Sequence, residues 1–158
     1  MKEEYVNSFL APTKLVWEKE LGHTLELAGM DLVSNQFTTD DVTAVIGVSG
    51  RLEGNVLYGF SQETAYAVMS LMLGEPVDNL NNEIGLSAIG EIANMITGNA
   101  ATRLSQVGYP CNISPPVIIE PLGSRFTTFG SSQLRVTFKS ELGPLTVRIS
   151  LYETPIRD

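Results

Sequence analysis

Apolar residues recur at helical spacing at Val6, Phe9, Leu10, Leu15, Val16 and Leu21, so the chain opens on a predicted helix over 3–21 that Gly22 ends. Pro12 inside that pattern predicts a kink or a late start, because proline lacks an amide hydrogen and crowds the preceding turn. From 24 to 37 and from 42 to 48 the pattern becomes alternating and β-branched, with 38–41 as the turn. Residues 49–54 predict a hairpin turn and 55–60 its return strand. Ser61 is then placed to cap a second helix that runs through Met72 and stops at Gly74. After a loop over 75–82, a long helix is predicted from Glu83 to about Val107, with Gly108 as its stop. Beyond Pro110, strands are predicted at 113–119, 133–140 and 145–151. The stretch 120–130 is too long and too apolar for a tight turn, and reads as a loop holding a short edge strand that pairs with another subunit.

The long helix carries the most informative polar pattern. With Glu91 at zero and about 100° per residue, Ile89, Ile92, Ile96, Ala100, Leu104 and Val107 centre near 160°, while Ser87, Glu91, Asn94 and Gly98 fall on the opposite side. A carboxylate holds a cation and an amide orients a water, so the Glu91 and Asn94 pair suits hydrolysis or docking; it is equally the composition of an ordinary wet helix face. Gly90 and Gly98 each weaken the helix by roughly 1 kcal/mol relative to alanine. Close approach of another backbone and simple tolerance by tertiary packing both account for them.

A faint internal repeat emerges when the two halves are superposed. Leu21-Gly-His-Thr24 matches Val107-Gly-Tyr-Pro110 at an offset of 86 residues, and Val56, Tyr58 and Phe60 match Leu145, Val147 and Ile149 at an offset of 89. Such a duplication predicts two helix-plus-strands halves that form one sheet with helices on one side, an α+β fold in a single domain over 1–158. Under the first offset Glu91 and Asn94 correspond to Tyr5 and Ser8, which predicts a carboxylate and amide pair in one half only.

Composition narrows the function classes. At 158 residues the chain has room for one real core, and 43% hydrophobic with 18% charged residues is ordinary for a globular protein. The net charge of −8, with ten scattered Lys and Arg, argues against nucleic acid and against an anionic membrane surface; a protein partner meeting the acidic face should present cations. Cys111 is the only cysteine, which excludes an intramolecular disulfide and a multi-thiolate metal cluster within the chain. No basic start with an apolar run and no span of about 18 apolar residues is present, so a cytoplasmic location without membrane insertion is expected. The sequon Asn112-Ile-Ser114 matters only after secretion.

Other candidate chemistry is sparse. His23, the only histidine, sits at a helix exit where a histidine complements the dipole, which favours a structural role. Cys111 has no basic neighbour in sequence to activate it and reads as a buried or incidental thiol. Met69, Met72 and Met95 read as core filler. No phosphate-cradling glycine loop, dinucleotide fingerprint or calcium loop occurs.

Ser87-Ala-Ile-Gly90-Glu91-Ile-Ala-Asn94-Met-Ile-Thr-Gly98, on the second long helix and followed by strands, resembles the signature of the CheC, CheX and FliY phosphatases of bacterial chemotaxis. Gly54-Asn-Val-Leu-Tyr-Gly59-Phe-Ser leading into a helix that ends Met72-Leu-Gly74 also resembles this family, as does the order of elements over nearly the whole chain. With Glu91-x-x-Asn94 taken as its one Glu-x-x-Asn motif, the chain is more similar to CheX than to CheC or FliY. The resemblance implies a largely antiparallel sheet with two long helices packed on one face, and dephosphorylation of a CheY-like response regulator carrying an aspartyl phosphate. The phosphorylated receiver would supply Mg2+, and this chain would bind no cofactor of its own. Asn94 would orient the attacking water, and Glu91 would pair with the receiver's active-site lysine. Small residues at Ser87, Gly90 and Gly98 would let the receiver's loops reach the helix. The resemblance further implies a homodimer through exchanged or paired strands, with 121–130 as the candidate segment. The alternatives on the same scaffold are a noncatalytic receiver-binding adaptor and a structural protein of the flagellar-switch type.

Overall fold

The helices start and stop where side chains and glycines satisfy their open backbone groups. In the computed structural model, which describes residues 2–119 and 125–155, α1 spans Glu3–Leu21 and ends on Gly22, whose left-handed backbone (φ 72°) directs its N–H to the Glu18 carbonyl. The helix is continuous through Pro12, where the sequence predicts a kink or late start. Helix α2, Gln62–Leu73, begins at Ser61, whose Oγ accepts from the Thr64 N–H at 3.2 Å, and stops at Gly74 as predicted. Helix α3, Glu83–Gln106, is capped by Asn82, which accepts from the Gly85 N–H at 2.9 Å. Among the described residues no helix is long and apolar enough to cross a membrane.

The strands are β1 (Glu26–Thr38), β2 (Val42–Gly50), β3 (Leu52–Phe60), β4 (Cys111–Ile113), β5 (Val117–Ile119), β6 (Arg125–Lys139) and β7 (Leu145–Glu153). They form one antiparallel sheet in the order β1-β6-β7-β3-β2-β4, with β5 also on β2. That order reads the same from both ends once β1, β2 and β3 are exchanged for β4/β5, β6 and β7, which is the signature of a duplicated unit. The central pair β3 and β7 places Tyr58 opposite Val147, so the 89-residue offset found in the sequence puts the pseudo-twofold axis through that pair.

Two expectations change. The single strand predicted at 113–119 is two short strands, because Pro115 and Pro116 lack the N–H groups a ladder needs. Ser114 repairs the gap: its Oγ accepts from the Gly47 N–H at 2.8 Å and its own N–H reaches the Gly47 carbonyl. The strand predicted at 133–140 instead begins at Arg125, and residues 125–127 pair with β1 of the same chain. One edge of the segment proposed for subunit pairing is therefore occupied internally, and its residues 121–124 lie outside the described residues.

The helices α1 and α3 pack beside one another on one face of the sheet. Phe9 and Trp17 from α1 and Ile89, Ile92 and Ile96 from α3 are fully buried with Ile46, Tyr58, Phe60 and Phe138 from the strands. Each such large apolar side chain contributes about 1.5–3 kcal/mol on leaving water. A hydrogen bond of 2.7 Å between the Tyr58 hydroxyl and Thr97 Oγ1 ties the middle of α3 to the pseudo-twofold axis of the sheet.

Candidate active site

Helical spacing sends Ile89, Ile92 and Ile96 into the core and leaves the opposite stripe of α3 in solvent. Glu91 is exposed and Asn94 is half-buried on that stripe. Among the described residues, neither the Glu91 carboxylate nor the Asn94 amide has a hydrogen-bond or ion-pair partner. Both groups are thus available to an incoming molecule without first breaking an internal contact.

Glu91 and Asn94 line an open cleft of about 270 Å³ together with Leu86, Ser87, Gly90, Pro116 and Ile118. The second wall, Pro116 and Ile118, comes from the β4–β5 edge of the sheet. Gly90 makes that approach possible: a Cβ there would lie 3.2 Å from Pro116 Cγ and 3.6 Å from Ile118 Cδ1. The missing side chain is therefore used by the chain's own edge segment, and Gly90 forms part of the cleft lining. Gly98 lies outside the cleft lining, further along the same stripe, where a Cβ would be 4.0 Å from Ile113 Cδ1. Of the residues singled out from sequence, Ser87, Gly90, Glu91 and Asn94 come together. Pro116 and Ile118 were not singled out; the paired prolines that interrupt a strand were the available signal.

Tyr5 and Ser8, the α1 positions matched at the 86-residue offset, are closed. Tyr5 is 3% exposed and packs edge-on against Tyr109 with ring centroids 5.1 Å apart, and Ser8 is 6% exposed with its hydroxyl donating to the Glu4 carbonyl at 2.8 Å. At an offset of 87, however, Glu91 and Asn94 match Glu4 and Asn7, a second Glu-x-x-Asn pair whose members are both exposed and line a separate pocket with Ser8, Arg103, Gln106 and Val107, so the expectation that only one half carries the pair does not hold.

The remaining chemistry does not converge on this cleft. His23 Nδ1 lies 3.5 Å from Glu141 Oε2, and both line a separate pocket with Gly22, Thr24, Glu26, Lys139 and Ser140. Burial pushes the Cys111 thiol above its ordinary pKa, which disfavours the reactive thiolate. The described residues contain no group of three or more His, Cys, Asp or Glu side chains that could hold a metal ion. What the cleft can do is bind a cation at a free carboxylate and hold a water or an oxyanion at a free amide.

Comparison with known proteins gives this geometry its setting. The family model for the chemotaxis phosphatase CheX matches residues 42–139. The CheY-P phosphatase CheX of Thermotoga maritima is 32% identical over 130 residues, covering 82% of this chain and 84% of that protein. The crystal structure of the chemotaxis protein CheX from Desulfovibrio desulfuricans is similar at a TM-score of 0.84 and 27% identity, over 94% of this chain and 99% of that one. The CheX-CheY-BeF3-Mg+2 complex from Borrelia burgdorferi matches with a TM-score of 0.79 and 26% identity, over 94% and 98% of the two chains. With its signature helix, its duplicated sheet and these relatives, the chain belongs to the CheX family of chemotaxis phosphatases.

Proposed function

We propose that this protein accelerates hydrolysis of the aspartyl phosphate on a CheY-type response regulator and so ends the signal that the receiver carries. The observation that carries the reading is the pair of uncommitted side chains, Glu91 and Asn94, at the mouth of one cleft. A relative of this chain binds CheY with beryllium trifluoride and Mg2+, and beryllium trifluoride is a tetrahedral stand-in for a phosphoryl group.

In the proposed reaction a water oxygen bonds to phosphorus while the bond between phosphorus and the aspartyl oxygen breaks, releasing inorganic phosphate and the free carboxylate. The Asn94 amide holds the water in line with the phosphorus, a positioning task that needs no shifted pKa. The Glu91 carboxylate docks a lysine ammonium of the receiver. The receiver brings its own Mg2+, because the divalent cation neutralises the phosphoryl oxygens inside the receiver's site. This assigns the chain a cytoplasmic partner, and the reading includes a homodimer.

The test follows loss of label from receivers phosphorylated with a small-molecule phosphodonor. Wild type should accelerate decay of at least one receiver. Asn94→Ala should lower kcat by about a hundredfold or more while retaining binding, and Glu91→Lys should raise KM by placing like charges together. Equal decay with and without wild type, across the receivers of the same organism, rejects the enzyme; binding without faster decay selects the adaptor.

A further inference from the structure

The most exposed large apolar side chain among the described residues lies on the same stripe as the polar pair. Ile84, in the first turn of α3, is 70% exposed. It precedes Glu91 by seven residues, which brings it within about 20° of the Glu91 direction at roughly 100° per residue. Along the helix the two are about 10 Å apart at 1.5 Å per residue. The loop before α3 supplies a contrast, for Val77 folds in to 7% exposure while Ile84 is left uncovered.

An exposed isoleucine taken singly is ordinary on a protein surface. Its place relative to the cleft makes this one different. A specific interface covers about 800 Å² per partner, a disc of radius about 16 Å, and even a small transient one of about 600 Å² has a radius near 14 Å. Any protein centred on Glu91 and Asn94 therefore reaches Ile84, and the exposure of that side chain gives it apolar area to bury on contact. Neither Glu91 nor Asn94 supplies such area, since both are polar and interact with water in the free protein.

We infer that Ile84 is the apolar anchor of the docking surface for a phosphorylated receiver domain, seating an apolar side chain of the receiver beside its phosphorylation pocket. The inference rests on the function proposed above and adds to it a division of labour along one stripe: Ile84 holds the receiver, Glu91 sets its charge register and Asn94 acts on the water. Burial at Ile84 is the same before and after the chemical step, so it lowers KM and leaves kcat alone.

The experiment uses the full chain and the receiver that wild type turns over fastest, with steady-state kinetics and with binding to that receiver loaded with beryllium trifluoride and Mg2+. Ile84→Ser should raise KM and Kd about tenfold, equivalent to about 1.4 kcal/mol, with kcat within twofold of wild type; Ile84→Leu should restore binding. Val107→Ser is the control: Val107, the residue just past the C-terminal end of this helix, is also half-exposed, but lies about 24 Å from Glu91 along the axis, beyond the footprint, and its KM should stay at the wild-type value. An Ile84→Ser variant that keeps wild-type KM and Kd in an active protein overturns the anchor and leaves the phosphatase reading intact. Equal losses in Ile84→Ser and Val107→Ser overturn it as well. A wild type that accelerates no receiver rejects the proposed function, and the anchor with it.

Discussion

The buried bond between Tyr58 and Thr97 offers a quantitative test of how α3 is held. Thr97 Oγ1 lies 2.7 Å from the Ala93 carbonyl and 2.7 Å from the Tyr58 hydroxyl. Threonine has one hydroxyl hydrogen and the carbonyl can only accept, so the arrangement that satisfies every group has Thr97 donating to Ala93 and Tyr58 donating to Thr97. Burial pushes the Tyr58 phenol above its ordinary pKa and keeps that donor protonated. Removing the two partners should then have unequal costs. Tyr58→Phe deletes a donor and leaves Thr97 bonded to Ala93, a loss of about 0.5–1.5 kcal/mol. Thr97→Val keeps the shape but strands a phenol hydroxyl in a residue with no solvent exposure, which costs about 1–3 kcal/mol. In the double variant no hydroxyl is stranded, so its loss should be less than the sum of the singles, with a coupling of at least about 0.5 kcal/mol. Urea unfolding followed by the fluorescence of Trp17, the chain's only tryptophan and fully buried, reads all four proteins. If Thr97→Val costs no more than Tyr58→Phe, or if the losses add, the bond assignment is refuted.

Two further outcomes are expected. Burial raises the Asp40 carboxyl above its ordinary value of 3.8, with Arg148 partly opposing the rise, so the native state binds a proton more tightly than the unfolded chain does. Stability should therefore fall as pH rises from about 4 through the folded pKa. Asp40→Asn should be more stable than wild type at pH 7 and lose that advantage at pH 3, as measured by urea midpoints; an equal effect at both values refutes the assignment. For the proposed homodimer, light scattering at micromolar concentration should give the mass of two chains, and a monomer rejects it.

Much of the scaffold was legible because local chemistry and tertiary packing agree. Gly22, Ser61 and Gly74 are caps in both the sequence and the structure, since each solves a backbone problem within a few residues. The long β6 strand was not legible. Ser34 pairs with Ser132 and Gln36 with Thr127, so residues 128–131 of β6 stand against Asn35 alone, an irregularity that breaks the two-residue period. Thr128 and Gln133 are buried there, and the hydroxyl of Thr128 accepts from Gln133 Nε2 at 3.2 Å and from Ser150 Oγ at 2.8 Å. A polar network of that kind looks like a loop in sequence. Pro12 failed as a breaker for a related reason: it is buried between the core positions Phe9 and Val16, where packing outweighs one missing hydrogen bond. In the site, the helical period placed Ser87, Glu91 and Asn94, while the wall of Pro116 and Ile118 depends on sheet pairing across the chain.

Both long helices of the duplicated scaffold carry a Glu-x-x-Asn pair, Glu91 and Asn94 on α3 and Glu4 and Asn7 on α1, and the two helices differ in how they are held. A helix that keeps a carboxylate and an amide without internal partners forgoes the contacts those groups could make, so its position must be fixed from its other face. On α3 that face holds Ile89, Ile92 and Ile96 in the core and the Thr97 bond to Tyr58, less than one turn from Asn94. The start of α1 is held by other contacts. Tyr5 and Tyr109 pack edge-on, Lys2 donates to the Tyr109 hydroxyl at 3.1 Å, and Lys2 pairs with Glu153 at 2.9 Å, joining the start of α1 to the segment after α3 and to the last strand. These contacts bury Tyr5 between the two polar members of the α1 pair, while Glu4 and Asn7 themselves stay exposed.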